Sequence, residues 1–266
     1  MSELRGVKLL DANNVPIGSL NGALNVHNAG VHYYSINDSF HQHTATNTTL
    51  SVATTIGAIS ITVASSTGIV AGDYIQFIST SILEFTYTKV LSVVGNVINI
   101  NRPIGHIHPI GTIVAKIIID ISSSIGSMAS PQSYKVTPAS TNIWHIERLS
   151  LQMSHTAAGY IDNFGGITAL INGCILRKYN SDGTFSTFTN WTSNADIYTD
   201  FTNIQFIDRA GGGTTYGTIG SGSFADIGVT IKLDGSLGEY LEILVQDDIT
   251  ALSLFQLKAQ GHLETV

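Results

Sequence analysis

Charge is scarce in this chain. Asp, Glu, Lys and Arg make up 12% of the 266 residues, and the formal net charge is −7. A deficit of cations on that scale excludes a broad nucleic-acid footprint. Cysteine is scarcer: the single Cys174 excludes an intrachain disulfide framework. In Ile171-Asn-Gly-Cys-Ile-Leu176 it reads as a small buried hydrophobe, not a nucleophile. Long apolar runs are missing too. The longest, residues 113–121, is interrupted by Lys116 and carries Asp120 near its end, so it reads as a buried strand and gives no membrane segment. The opening MSELRGVKLLDANN lacks the apolar core of a signal peptide. The expectation is synthesis in a cytoplasm without export.

Ser, Thr, Asn and Gly stand where charge would be. Residues 44–66 (TATNTTLSVATTIGAISITVASS) alternate β-branched with small polar residues. Such residues fit a pleated, half-buried surface, and Gly and Asn supply tight turns. This is the composition of an all-β protein suited to exposure outside a cell. The remaining charge is uneven. Residues 1–130 hold six acids and five bases, and most of the net negative charge lies beyond residue 130.

The chain divides by pattern. Residues 1–45 carry short apolar pieces between turn signals (Asp11-Ala-Asn-Asn14, Pro16-Ile-Gly-Ser19, Asn21-Gly22) and read as an extended anchoring arm that orders on something else. Residues 46–121 show six short strands, with Gly95-Asn96 as a hairpin turn, and predict a small β-barrel or sandwich module. Residues 122–132 (SSSIGSMASPQ) read as a polar linker. Residues 133–266 predict about eight strands, at 133–137, 143–153, 167–179, 185–189, 201–208, 229–233, 241–245 and 252–259, with turns at Ser181-Asp-Gly183 and Asp234-Gly-Ser236. That spacing fits an eight-stranded jelly-roll-like sandwich. Gly211-Gly-Gly213 and Gly217-Thr-Ile-Gly-Ser-Gly222 read as flexible loops, and no helix beyond a turn or two is expected.

Chemistry-bearing patterns are few. His41-Gln-His43 and His106-Ile-His108 each place two imidazoles at i, i+2, and two such pairs would supply a four-nitrogen set for zinc or nickel. Against this, both pairs fall in loop-like segments with no Cys or carboxylate at ligand spacing, so the balance favours polar loop residues and no metal. Asp247-Asp248 are adjacent, which on a strand sends them to opposite faces and disfavours shared acid–base work. No Gly-x-Ser-x-Gly, His-Glu-x-x-His or phosphate-cradling loop occurs. The sequence therefore predicts no catalytic residue and no cofactor. Aromatic side chains are the remaining candidates: Tyr33, Tyr34, Trp144, Tyr179, Phe185, Phe188 and Trp191 could stack on sugars, with Trp144 better read as core. Phe185, Phe188 and Trp191 flank an expected loop and form the candidate glycan contact.

The phrase Leu9-Leu-Asp-Ala-Asn-Asn-Val-Pro-Ile-Gly-Ser19, leading to Gly22-Ala-Leu-Asn-Val26, resembles the N-terminal arms of tailed-bacteriophage virion proteins. Ile61-Thr-Val63, Gly72-Asp-Tyr-Ile75, Val90-Leu-Ser-Val-Val-Gly-Asn96, Arg102-Pro103 and Gly111-Thr-Ile-Val114 resemble a small β-module of phage structural proteins. The last unit is similar to a jelly-roll domain of phage virion proteins through Tyr160-Ile-Asp-Asn-Phe-Gly-Gly166, Asn172-Gly173, Leu176-Arg-Lys-Tyr-Asn180, Leu233-Asp-Gly-Ser236, Tyr240-Leu-Glu-Ile-Leu-Val-Gln-Asp-Asp248 and Lys258-Ala-Gln-Gly-His262. The resemblance implies a non-enzymatic virion component attached through its arm: a capsid decoration or cement protein, or a neck, collar or tail accessory protein. Its partners would be other virion proteins and further copies of itself, in a homotrimer by analogy with virion jelly rolls, with neither nucleic acid nor membrane involved. The alternative is a glycan- or receptor-binding module of a fibre or spike.

Overall fold

The structure, a computed structural model, describes residues 34–78, 87–155, 160–201, 203–208, 216–223 and 230–265, together with a two-stranded ribbon of β1 (Ser19–Leu20) and β2 (Ala23–Leu24). Residues 1–18, which hold most of the first two turn signals of the arm, Tyr33 and the Gly211–Gly213 run lie outside the described residues. The described chain is all-β, in antiparallel sheets, with one short helix.

The middle unit is built from β4 (Gln42–Thr49), β5 (Ser60–Thr62), β6 (Tyr74–Ile78), β7 (Tyr87–Val94), β8 (Val97–Ile100) and β9 (Ile113–Ile118), in the order β4-β9-β6-β7-β8-β5. The expected hairpin at Gly95-Asn96 joins β7 to β8, with Val94 opposite Val97 and Gly95 at φ 57°. Alternating residues bury Leu50, Ile61, Val63, Ile75, Phe77, Val90, Ile98, Ile100 and Val114 in one apolar core. The sheet curls until its two edges meet at a single bridge, Leu50 to Val63, and stops there. It is a curled open sheet, not the closed barrel that the strand count allowed.

The second unit is a β-sandwich. One sheet runs β10-β17-β12-β13, from β10 (Gln132–Val136), β17 (Tyr240–Val245), β12 (Cys174–Tyr179) and β13 (Phe185–Trp191). The other runs β14-β15-β11-β18-β3, from β14 (Asn203–Asp208), β15 (Tyr216–Ser223), β11 (Asn142–His155), β18 (Leu254–Thr265) and β3 (Tyr34–Ser39), and β16 (Ile231–Asp234) pairs with β11 beyond β15. The pairs β11–β18 and β12–β17 nest one in each sheet, the connectivity of Greek-key sandwiches. Between the sheets lie Trp144, Ile146, Leu151, Met153, Tyr134, Cys174, Trp191, Ile243, Phe255 and Leu257.

Three expectations change. The arm does not extend to residue 45: β3 pairs with β18 along its whole length, Ile36 and Phe40 enter the sandwich core, and β4 starts at Gln42. The sequence hid this because a short strand reading Tyr-Ser-Ile-Asn-Asp-Ser is mostly polar and carries too little apolar periodicity to detect. The middle unit is therefore inserted into the sandwich, between β3 and β10. Residues 122–132 are not a free linker. Ile119 and Ile121 are buried, Asp120 Oδ1 accepts from Ser122 N and from Phe255 N at 3.0 Å, and Ile125 bridges Asp248. Residues 216–223 form a strand where flexibility was expected. The glycines let neighbours approach; a Cβ at Gly222 would meet the Asp200 carbonyl. The helix the sequence did not signal, α1 (Asn194–Asp200), is started by Asp196, whose Oδ2 accepts from Thr192 N and Ser193 N.

Both chain crossings between the units lie side by side. Gln42 and His43 pair with Ile118 and Ile117, while Phe40 N donates to Leu257 O at 2.9 Å. His41 and Lys135 exchange hydrogen bonds of 3.0 and 2.8 Å, tying the β3 edge of one sheet to the β10 edge of the other. The first prediction is that Phe40→Ala, which empties a fully buried site at this crossing, destabilises the protein by about 3–5 kcal/mol in urea unfolding. The residue would be an ordinary arm residue if the change were within a few tenths.

Candidate functional site

A polar crevice of about 150 Å³ opens where the inserted unit meets the sandwich. Tyr74 from β6, Tyr87 and Lys89 from β7, and Asn101 and Arg102 after β8 form one wall; Ile119, Gln256 and Lys258 form the other. Three cations and two phenol rings thus converge from sequence positions up to 184 residues apart. Tyr74 and Tyr87 pack edge to face at 5.7 Å, the Lys89 ammonium lies 5.9 Å from the Tyr74 ring centre, and Tyr87 OH is 2.6 Å from Ser39 Oγ. Asn101 Oδ1 accepts from Thr88 Oγ1 and Lys89 N, which fixes the turn carrying Arg102. The lining suits an anionic group flanked by a ring or sugar face.

Buried ionisable groups stand behind this crevice. Asp38 is buried, and its Oδ1 has no hydrogen-bond partner among the described residues; desolvation pushes its carboxyl up to about 8, against a weaker lowering by the Ser39 backbone. Burial also raises the Tyr87 hydroxyl, and Asp38 adds to that rise. His41, three residues on, is pushed down to about 4 by burial, although its Nδ1 lies 2.8 Å from Ser39 O.

The two histidine pairs weighed as a four-nitrogen set are placed apart. His41 and His43 are neighbours, with ring centres 5.3 Å apart, and His43 Nε2 bonds Gln76 Oε1 at 2.7 Å. His108 is buried on the opposite side of β6, stacked on Phe77 at 4.4 Å, and His106 is exposed. Successive β6 residues point to opposite faces, so Gln76 and Phe77 keep the two pairs on different sides of the sheet.

The aromatic candidates also separate. Trp191 is 1% exposed; its Nε1 donates to Asp200 Oδ2 at 2.6 Å and its ring packs in the core, so it offers no stacking face. Phe185 is 49% exposed, but the Arg177 guanidinium lies over its ring at 3.9 Å. It belongs to a tier with Tyr179 and Tyr240 across β13, β12 and β17, braced by Glu242, which accepts from Arg177 Nε at 2.6 Å and from Ser133 Oγ. Phe188 is 46% exposed and is the residue skipped in the β12–β13 register. That bulge turns its ring to a separate apolar pocket of about 180 Å³, shared with Leu149, Leu176, Trp191, Asp200 and Phe201. Tyr34 lies in β3.

Asp247 and Asp248 work apart, as their adjacency implied. Asp247 Oδ2 accepts from Asn172 N and Gly173 N, and Asp248 Oδ1 from Thr250 N and Oγ1. Cys174 is fully buried, and desolvation raises its thiol, which leaves it inert.

Sequence reasoning missed the crevice because its residues share no motif; only the fold brings β7 and β18 together. Comparison with protein-family models, with curated proteins and with solved structures returns no match.

The pH behaviour follows from two opposed groups. Asp38 stays protonated in the folded chain to about 8 but ionises near 3.8 when unfolded, so its contribution is complete at low pH and is lost as pH rises toward 8. His41 stays neutral down to about 4 but protonates near 6.5 when unfolded, so its contribution is complete above 6.5 and is lost as pH falls toward 4. The slopes oppose each other between these limits, and only that of Asp38 survives above 6.5. Urea unfolding is expected to show stability falling from pH 6.5 to 8, by at most about 1.4 kcal/mol per pH unit from this group. Asp38→Asn should flatten that fall and expose the His41 slope at lower pH; an unchanged profile would refute the assignment.

Proposed function

We propose that this chain is a non-enzymatic structural component of a tailed-phage virion, held through its N-terminal region: a capsid decoration or cement protein, or a neck or tail accessory protein. One observation carries the reading beyond the sequence resemblance. At one end of the inserted unit two loops are locked together, with Thr54 N donating to His108 O, His108 N to Thr54 Oγ1 and Gly57 N to Ile104 O, all between 2.7 and 2.9 Å. They nevertheless present Val52, Ile56, Ile59, Ile107 and Ile110 to solvent, each more than half exposed. A rigid backbone displaying large aliphatic side chains fits a surface that is covered in an assembly. The weakly charged exterior fits close packing with other virion proteins and with further copies, which we take to be a trimer.

Mass spectrometry of purified particles is expected to detect the chain, and separation of heads from tails assigns it to one of them. The Ile56→Asp, Ile110→Asp double variant should fold with little change in melting temperature yet be depleted from particles at least tenfold. Absence of the wild-type chain from purified virions would overturn the proposal.

The crevice favours a second reading, a glycan- or receptor-binding module. Lys89, Arg102 and Lys258 would engage an acidic group beside the Tyr74 and Tyr87 rings. Here the full chain is expected to bind acidic saccharides on a glycan array, and Arg102→Ala with Lys258→Ala should lower affinity at least tenfold. Equal retention by the double variant would exclude the crevice as the site.

A further inference from the structure

Two copies of one short motif face each other on the outer side of the larger sheet. β11 carries His145-Ile146-Glu147 and β18 carries His262-Leu263-Glu264, and the antiparallel register sets His145 directly opposite His262. Ile146 and Leu263 are buried in the core, so both His and both Glu project to the other face. Reversal of strand direction puts one carboxylate on each side of the histidine pair. The imidazoles stack at 4.8 Å with an interplanar angle of 8°. His262 Nδ1 lies 2.7 Å from Glu147 Oε1, and His145 Nε2 lies 3.6 Å from Glu264 Oε1.

These two contacts are chemically different. A carboxylate accepts, so Glu147 Oε1 takes the hydrogen bond from His262 Nδ1 and orients the ring from that side. The 3.6 Å separation of His145 Nε2 from Glu264 is too long for a hydrogen bond, and this nitrogen is buried with no hydrogen-bond partner among the described residues. One ligand atom each from His145, His262 and Glu264 lies within 4.8 Å of the other two. In a tetrahedral zinc site with bonds of about 2.0–2.2 Å, ligand atoms are about 3.3–3.6 Å apart. The His145–Glu264 edge already has that length; for His262 to close the other two, the stacked imidazoles must part while the Nδ1–Glu147 hydrogen bond holds.

The backbone is prepared for this arrangement. The register skips between Ile146 and Arg148, so Glu147 occupies a bulge that re-aims its carboxylate at His262. Gly261 allows the strands to approach closely, since any Cβ there would run into the carbonyl of His145. Lys232 lies opposite His145 on β16 and is exposed, so its ammonium can extend to solvent at the border of the cluster.

We propose that His145, His262 and Glu264 form a zinc site, with Glu147 as the positioning residue that orients His262 and water completing the coordination. Two imidazoles with one carboxylate select a borderline transition ion such as Zn²⁺ over Mg²⁺ or Ca²⁺. Bound there, the ion clamps β18 to the central strand β11. The site stands independently of the proposed virion role.

The test uses the full chain, stripped with a chelator and titrated with Zn²⁺ in a calorimeter. One ion per chain is expected, with a higher melting temperature on loading. His145→Ala and His262→Ala should abolish binding, and Glu147→Gln should weaken it about 10–100-fold. Co²⁺ in the site should give tetrahedral ligand-field absorption that changes shape in Glu147→Gln, which a purely structural role for Glu147 would leave unmoved. The double variant His41→Ala, His43→Ala should bind as the wild type does. X-ray absorption of the zinc-loaded wild type should report two nitrogen neighbours, a reading that does not depend on any variant folding. Absence of Zn²⁺ binding by the wild type, or undiminished binding by a folded His145→Ala, His262→Ala double variant, would overturn the proposal.

Discussion

The backbone pairing of β3 with β18, continued through Phe40, is the interaction on which the rest of this architecture depends. Through it, the polypeptide before the inserted unit belongs to the same sandwich as the polypeptide after it. Two strands must therefore leave the sandwich and return, and they pair with each other as they do so. A single connecting strand would leave the inserted unit free to swivel. Two hydrogen-bonded strands resist bending and twist, and they fix the wall of one unit against the wall of the other. The crevice exists because of this restraint. Tyr87 and Arg102 would have no fixed relation to Gln256 and Lys258 without it.

The same crossing concentrates the costs of the fold. Asp38, Ser39 and His41 are buried at the point where three sheets come together, and a carboxyl and an imidazole there are both held in their neutral forms by desolvation. Their burial carries a desolvation cost that an apolar crossing of the same shape would avoid. Ser39 serves both sides, its carbonyl meeting His41 and its hydroxyl meeting Tyr87 across the units.

On the sandwich surface, charge is arranged locally. Glu242 gathers Arg177, Ser133 and the more distant Lys135 on the four-stranded sheet, and the two His-x-Glu segments gather on the other. These clusters lie on opposite outer faces, so each sheet carries a polar ladder of its own. The inserted unit differs: its loop end is apolar, exposed and rigid.

Much of this was legible from residue order alone. The all-β class, the Gly95-Asn96 hairpin, most strand positions, the burial of Cys174 and the independence of Asp247 and Asp248 all follow from local pattern, because alternation and turn chemistry act over a few residues. Strand β3 was not legible, since its stability comes from pairing with residues more than two hundred positions away. Nor was the separation of the two histidine pairs, which depends on the face of β6 that each one meets. Phe185, Phe188 and Trp191 read alike in sequence, yet one lies under an arginine, one sits on a bulge and one is sealed in the core. His145-Ile-Glu147 and His262-Leu-Glu264 were not singled out in the sequence, because only antiparallel register sets them opposite each other. Residue order was enough to read most of the strands and the turns between them, because neighbours along the chain decide those. Tertiary structure alone decided the insertion, the crevice and the histidine–glutamate cluster, because each depends on which distant strands become neighbours in a sheet.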